Sequence, residues 1–147
     1  MTDDTTTRPI RLLIADDEED LVTFLAHRLR KRGLDVTMAM SGAEAVSAAN
    51  EIKFDVAIVD FKMPDMDGIT VMEQLRAAQP FLEVLMLTGH GSHDSAWEAG
   101  RLQAFRYLLK PYDFEDLLAL VQEAARKRRQ KMQNEFETKL GSLMTGT

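Results

Sequence analysis

Residues 54–78 read FDVAIVDFKMPDMDGITVMEQLRAA, and this stretch decides the fold. It begins with a short apolar run, Phe54–Val59, that ends at Asp60. A run of that length is a buried strand, since a helix needs about ten residues or more to bury a face. Pro64–Gly68 is rich in turn residues and reads as a loop. Ile69–Ala78 then sets Ile69, Met72 and Leu75 on one side of a helix, with Pro80 just beyond it. The product is one β–α unit with an acid at its junction.

The same unit recurs on both sides. Arg11–Ala15 (RLLIA) is a buried strand ending at Asp16-Asp17. Glu18–Arg32 follows as a helix with Leu21, Phe24, Leu25 and Leu29 on one face, and Gly33 is its stop. Asp35–Met40 is a second strand. Ser41-Gly42-Ala43-Glu44 has the form of a capping box and opens a helix that runs through Asn50. Downstream, Glu83–Leu87 is a strand ending at Thr88-Gly89, and Ser92–Arg101, which contains Trp97, is a poorly patterned helix. Phe105–Leu109 is the fifth strand and ends at Lys110-Pro111. Asp113 caps a last helix carrying Leu117, Leu120, Val121 and Ala124. Five β–α units in series predict an α/β fold, a doubly wound five-stranded parallel sheet with five flanking helices.

The bulk composition narrows the function. A chain of 147 residues makes one ordinary domain, and 45% hydrophobic with 29% charged residues is the balance of a globular protein. The absence of cysteine excludes a disulfide framework and any Cys-ligated zinc or iron–sulfur site, and fits a reducing cytoplasm. A net charge of −6 argues against nucleic acid as a partner. No apolar run approaches the ~20 residues of a membrane helix. The start, Met1-Thr2-Asp3-Asp4, is too polar for a secretory signal, and residues 1–9 are expected to be a flexible threonine-rich lead.

Open α/β sheets bind ligands beyond the carboxyl ends of their strands. Those ends are Asp16-Asp17, Ser41, Asp60, Thr88 and Lys110. Three carboxylates on one mouth repel one another unless a hard cation sits among them, and all-oxygen ligation points to magnesium, with manganese or calcium as alternatives. Magnesium favours one or two carboxylates plus a phosphate oxygen, so the site suits a phosphoryl group. An aspartate can be the nucleophile, giving an aspartyl phosphate. The Lys110 ammonium can hold one phosphoryl oxygen, and the Thr88 hydroxyl can donate to another.

These residues carry a resemblance. The acidic pair Asp16-Asp17, the segment Asp60-Phe61-Lys62-Met63-Pro64-Asp65-Met66-Asp67-Gly68, the tetrapeptide Thr88-Gly89-His90-Gly91 and the run Tyr107-Leu108-Leu109-Lys110-Pro111 stand in the order and spacing of one family. Over residues 10–127 the chain resembles the receiver domain of two-component response regulators. The resemblance implies a flavodoxin-like strand order, 2-1-3-4-5. It implies that Asp60 accepts phosphate from a phosphohistidine on a sensor kinase or phosphotransfer protein. It implies that Asp17 binds magnesium directly, Asp16 through water, and the Lys62 backbone carbonyl as a further ligand beside Asp60. Lys110 pairs with the phosphoryl group. Thr88 and Tyr107 form the switch, and the Lys110–Pro111 peptide is cis. Phosphorylation is then expected to reshape the surface of the fourth helix, fifth strand and fifth helix, for partner binding, phosphorelay or dimerisation. One departure is Gln103, which precedes Ala104 where the family usually has glycine. Lys62 and His90 stand at rim positions that vary in the family.

Two other classes stay open at this level. One is a magnesium-dependent aspartyl-phosphate hydrolase, although Lys62 stands two residues after Asp60 where such enzymes place an acid. The other is a pseudo-receiver that only binds partners, against which the full acidic set, Thr88 and Lys110 argue. The chain reads mainly as a signalling phosphoacceptor with intrinsic self-phosphorylation and dephosphorylation chemistry, not as a turnover enzyme. His90 and His93 read as a polar loop beside the site and not as a metal pair.

Residues 128–147 read as a helical extension or a linker. The basic run Arg126-Lys127-Arg128-Arg129-Gln130-Lys131 closes the last helix, where cations complement its dipole. Beyond it Met132, Phe136, Leu140 and Leu143 recur every three or four residues. That stripe either extends the helix and pairs with a second copy, as a homodimer, or begins a linker.

Overall fold

The computed structural model describes residues 8–89 and 103–145. Five strands, β1 (Arg11–Ala15), β2 (Asp35–Ala39), β3 (Val56–Asp60), β4 (Glu83–Thr88) and β5 (Arg106–Leu109), form one parallel sheet in the order β2-β1-β3-β4-β5. Four helices accompany them among the described residues: α1 (Glu19–Lys31), α2 (Gly42–Glu51), α3 (Gly68–Ala78) and α4 (Phe114–Thr145). The helix expected over Ser92–Arg101, with Trp97, lies outside the described residues, as do His90, Gly91 and His93.

Strand alternation divides the core. Leu12, Ile14, Val56, Ile58, Leu85 and Leu87 point to the face covered by α1 and α4. Leu13, Ala15, Ala57, Val59, Val84 and Met86 point to the face covered by α2 and α3. Burial on both faces is why these strands read as continuous apolar runs.

Local chemistry fixes the helix ends. The Ser41 hydroxyl accepts from the Glu44 N–H at 3.1 Å, as the capping box requires. Asp113 caps α4 by accepting from the Asp116 N–H at 3.0 Å. Asp67 caps α3, accepting from the Thr70 N–H at 2.8 Å. Gly33 follows α1 with φ of 91°, a left-handed stop that favours glycine.

Two expectations are corrected. The buried stripe of α1 is Val22, Leu25, Ala26 and Leu29, while Leu21 and Phe24 are 52% and 61% exposed. Both stripes fit helical spacing, and the branched Val22 with the small Ala26 lets the helix lie closer to the sheet. The basic run Arg126–Lys131 does not close the last helix, because α4 continues without a break to Thr145 and has no basic residue in its last turn. Its cations therefore do not complement a helix end. Arg128 pairs with Asp55 at 2.9 Å and Lys131 with Glu83 at 2.7 Å, fastening the middle of α4 to the starts of β3 and β4. Met132, Phe136, Leu140 and Leu143 lie on the continuing helix and are exposed.

Candidate functional site

Asp60 is the last residue of β3, the central strand, and only 7% exposed. Asp16 follows β1 directly, 4% exposed. Its Oδ1 accepts from the Glu18 N–H at 3.0 Å, which turns the chain into α1 and leaves Asp17 exposed at the rim. One oxygen from each of Asp16, Asp17 and Asp60 lies within 4.8 Å of the others, the only such acidic cluster among the described residues. Lys110, from the end of β5, reaches across. Its Nζ is 3.2 Å from Asp16 Oδ2, 3.6 Å from Asp60 Oδ2 and 3.6 Å from Glu18 Oε1. The Lys110–Pro111 peptide is cis.

The electrostatics follow from this crowding. Burial first, and then the Asp16 charge, push the Asp60 carboxyl from 3.8 up to about 6, against the pull of Lys110 and a hydrogen bond from the Lys62 N–H. Burial alone depresses the Lys110 ammonium, but Asp16 and Asp60, with Glu18, outweigh it and hold its pKa above the ordinary value. One fixed cation therefore stands against three carboxylates and Glu18. That imbalance, with three oxygens at this spacing, is what a hard divalent cation would relieve, so the residues present fit a metal.

A cavity of about 400 Å³ opens over Asp60, lined by Asp17, Glu18, Phe61, Lys62, Thr88, Gly89 and Lys110. Its volume leaves room for a phosphoryl group with solvent beside it. Thr88, at the end of β4, is buried. Met86 pairs with Tyr107 and Thr88 with Leu109 across the β4–β5 ladder. Thr88 and Tyr107 therefore share a sheet face two residues apart, and Tyr107 is 36% exposed.

Of the strand-end groups marked in the sequence, Asp16, Asp17, Asp60, Thr88 and Lys110 converge. Ser41 does not line the cavity, since its hydroxyl caps α2. Sequence reasoning missed Glu18, which borders the cavity, and Asp65. The Asp65 carboxylate accepts from the N–H groups of Gly42 and Ala43, both at 3.0 Å, tying the loop after Asp60 to the start of α2. Those two hydrogen bonds hold its pKa below the usual carboxylate range. Glu18 was hidden inside the acidic run 16–20, and the partners of Asp65 are more than twenty residues away, so no local signal marked it.

The family model for the response regulator receiver domain matches residues 12–122. The chain belongs to that family. As a receiver domain it is 36% identical over 115 residues to the transcriptional regulatory protein ZraR of Escherichia coli (strain K12), covering 78% of this chain and 26% of that protein. The chain thus spans about a quarter of the length of the curated relatives it matches. The CheY-like receiver domain protein from Methanospirillum hungatei JF-1 superimposes with a TM-score of 0.78 at 26% identity, covering 84% of this chain and 98% of that one. A response regulator protein from Burkholderia pseudomallei, whose structure holds a phosphorylated aspartic acid, a calcium ion and citrate, gives a TM-score of 0.70 at 32% identity, covering 86% of this chain and 74% of that one.

Proposed function

We propose that this receiver domain accepts a phosphoryl group on Asp60 from a phosphohistidine of a sensor kinase or phosphotransfer protein. The carrying observation is the seating of Asp60: buried at the end of the central strand, 3.6 Å from the Lys110 ammonium, beneath an open cavity. A carboxylate oxygen of Asp60 attacks phosphorus, an O–P bond forms as the P–N bond to imidazole breaks, and the freed imidazole takes a proton from solvent. Lys110 holds a phosphoryl oxygen by charge, and the Thr88 hydroxyl donates to another. Phe61 and Gly89 also border the cavity. Positioning and charge neutralisation are most of what phosphoryl transfer asks of a protein.

Asp17 and Asp60, with Asp16 through water and the Lys62 carbonyl, are the residues we infer to hold magnesium. When bound, it offsets the charge of the clustered carboxylates and of the phosphoryl oxygens. The phosphorylated aspartic acid and calcium ion of the Burkholderia relative support an acidic site of this kind here.

The shared face of Thr88 and Tyr107 supports their reading as the switch. The hydroxyl moves toward the phosphoryl group and the ring fills the space behind it, which biases a two-state equilibrium of the β4–β5 surface toward its active form. Output is through a protein partner or a second copy of the chain. No described helix is long and apolar enough to cross a membrane, and the cytoplasm, where sensor kinases present phosphohistidine, is the compartment we propose. The test is intact mass after incubation with magnesium and a small phosphodonor. One added phosphoryl group that depends on magnesium and disappears in Asp60→Asn is expected; an adduct that survives Asp60→Asn would refute the assignment.

A further inference from the structure

At the opposite end of the sheet lies a second cavity, of about 470 Å³, between the starts of β1 and β3 and the middle of α4. Arg8, Arg11, Lys53, Arg128 and Arg129 line it, and among the described residues Asp55 is the only carboxylate in its wall. We propose that this cavity binds a small phosphate-bearing anion.

Asp55 is already saturated with donors. Its Oδ1 accepts from Arg8 at 3.1 Å and from Arg128 at 2.9 Å. Its Oδ2 accepts from Arg8 at 3.2 Å and from the Arg11 backbone N–H at 2.8 Å. Both oxygens are thus fully engaged, and the carboxylate has no capacity left for the Arg11 and Lys53 side chains. Neither of those side chains has a carboxylate within ion-pair distance among the described residues. The Nε of Arg128 is buried and without a hydrogen-bond partner among the described residues. Burial first depresses the pKa of Arg128, and the nearby charges of Arg8 and Arg11 depress it further, while Asp55 opposes them.

Arg11 and Lys53 thus add side-chain cations beyond what Asp55 can match, in a chain whose net charge is −6. An anion entering the cavity relieves that repulsion. Guanidinium groups match phosphate oxygens in fork geometry. The volume is that of a small-molecule site, and Phe54 and Met132 supply an apolar wall for an organic part. The size of the cavity favours a free small anion over a nucleic-acid backbone.

The test uses the full chain in EDTA, so that the acidic mouth holds no metal, with inorganic pyrophosphate as the probe. Titration calorimetry is expected to show one saturable site that weakens with added salt. Amide shifts are expected around Arg11, Lys53 and Arg129, away from Asp60. Arg11→Gln with Lys53→Gln should weaken binding about tenfold or more, since each removes a charged donor, while Lys31→Gln with Lys139→Gln should leave it unchanged. Thermal unfolding checks the fold; should the double variant melt early, Lys53→Gln alone, at an exposed position, carries the comparison. The proposal is overturned by no saturable binding at millimolar pyrophosphate, by equal affinity in the variant, or by shifts centred on Asp60. Tighter binding of a duplex DNA oligonucleotide through the same residues would overturn the small-anion assignment.

Discussion

Asp60→Asn should make the metal-free protein more stable at neutral pH, although it removes the proposed phosphoacceptor. The Asp60 carboxyl sits at about 6 in the folded chain against an ordinary 3.8. Below the ordinary value both folded and unfolded chains hold the proton, and the group contributes nothing. Between 3.8 and about 6 the unfolded chain is ionised while the folded one still holds its proton, so stability falls as pH rises. Above about 6 the full penalty of an ionised, crowded carboxylate is present. A difference of that size corresponds to about 3 kcal/mol at most, and screening by water in the open cavity brings it to about 1–2 kcal/mol. Asparagine keeps the volume and an oxygen for the Lys62 N–H, and Lys110 retains Asp16 at 3.2 Å. Urea unfolding in EDTA at pH 7.5 should therefore show a gain of about 1–2 kcal/mol, or about 3–6 °C in Tm. The gain should shrink as pH falls toward 5, and saturating magnesium should stabilise the wild type and narrow the gap. Equal or lower stability of the variant at pH 7.5, or a gain that ignores pH, would refute the reasoning.

Other expectations come from the same geometry. Asp17→Ala should weaken magnesium binding about tenfold or more, since it removes the carboxylate proposed as a direct ligand; an unchanged fluorescence or calorimetric titration removes Asp17 from the metal shell. Thr88→Ala should still take up phosphate but lose the conformational response, and normal phosphorylation-induced amide shifts in β5 would count against its switch role. Gly68→Ala would bring a Cβ to 2.8 Å from the Phe61 Cα and 3.0 Å from the Asp60 carbonyl oxygen. Backbone cannot yield as a side chain does, so a loss of about 1–3 kcal/mol is expected in denaturant unfolding; a variant of wild-type stability would show that the loop has room. If the stripe on α4 pairs with a second copy, Phe136→Ser with Leu140→Ser should shift sedimentation from dimer to monomer, and identical monomeric profiles for both proteins exclude that pairing.

The sheet was legible in the sequence because its three central strands, β1, β3 and β4, are buried on both faces and read as apolar runs ending at polar or turn residues. Much of the candidate site was legible because topology sends the ends of β1, β3, β4 and β5 to one mouth, so Asp16, Asp17, Asp60, Thr88 and Lys110 could be read off as neighbours without knowing any contact, while Ser41 at the end of β2 turned to its helix instead. What sequence could not supply was rotation and reach. Leu21 and Phe24 fit a helical face as well as Val22 and Ala26 do, and only the sheet beneath chooses between them. The basic run of α4 resembles a helix end until Asp55 and Glu83 are seen to be waiting for Arg128 and Lys131. Asp65 was visible in the motif, but its hold on α2 is a contact across the chain.

The two ends of β3 show why burial and charge must be read together. Asp55 and Asp60 flank the same strand, and both are buried carboxylates. Asp55 faces two guanidinium groups, from Arg8 and Arg128, and Glu83 on the neighbouring strand likewise faces Arg76 and Lys131. Those carboxylates are over-matched by fixed cations, and removing any one partner of such a buried set is destabilising because the charge left behind has no solvent to turn to. At the other end Asp16 and Asp60 share Lys110 with Glu18, and Asp17 is crowded beside them. A fold gains no stability from that deficit; it carries the repulsion as a standing cost and thereby keeps a place for cationic charge that arrives from outside. The same imbalance raises the proton affinity of Asp60, and a bound divalent cation would lower it, leaving the carboxylate ionised for the attack proposed above. The under-matched end is therefore where chemistry depends on what binds, while the ion pairs on Asp55 and Glu83 hold α4 to the sheet.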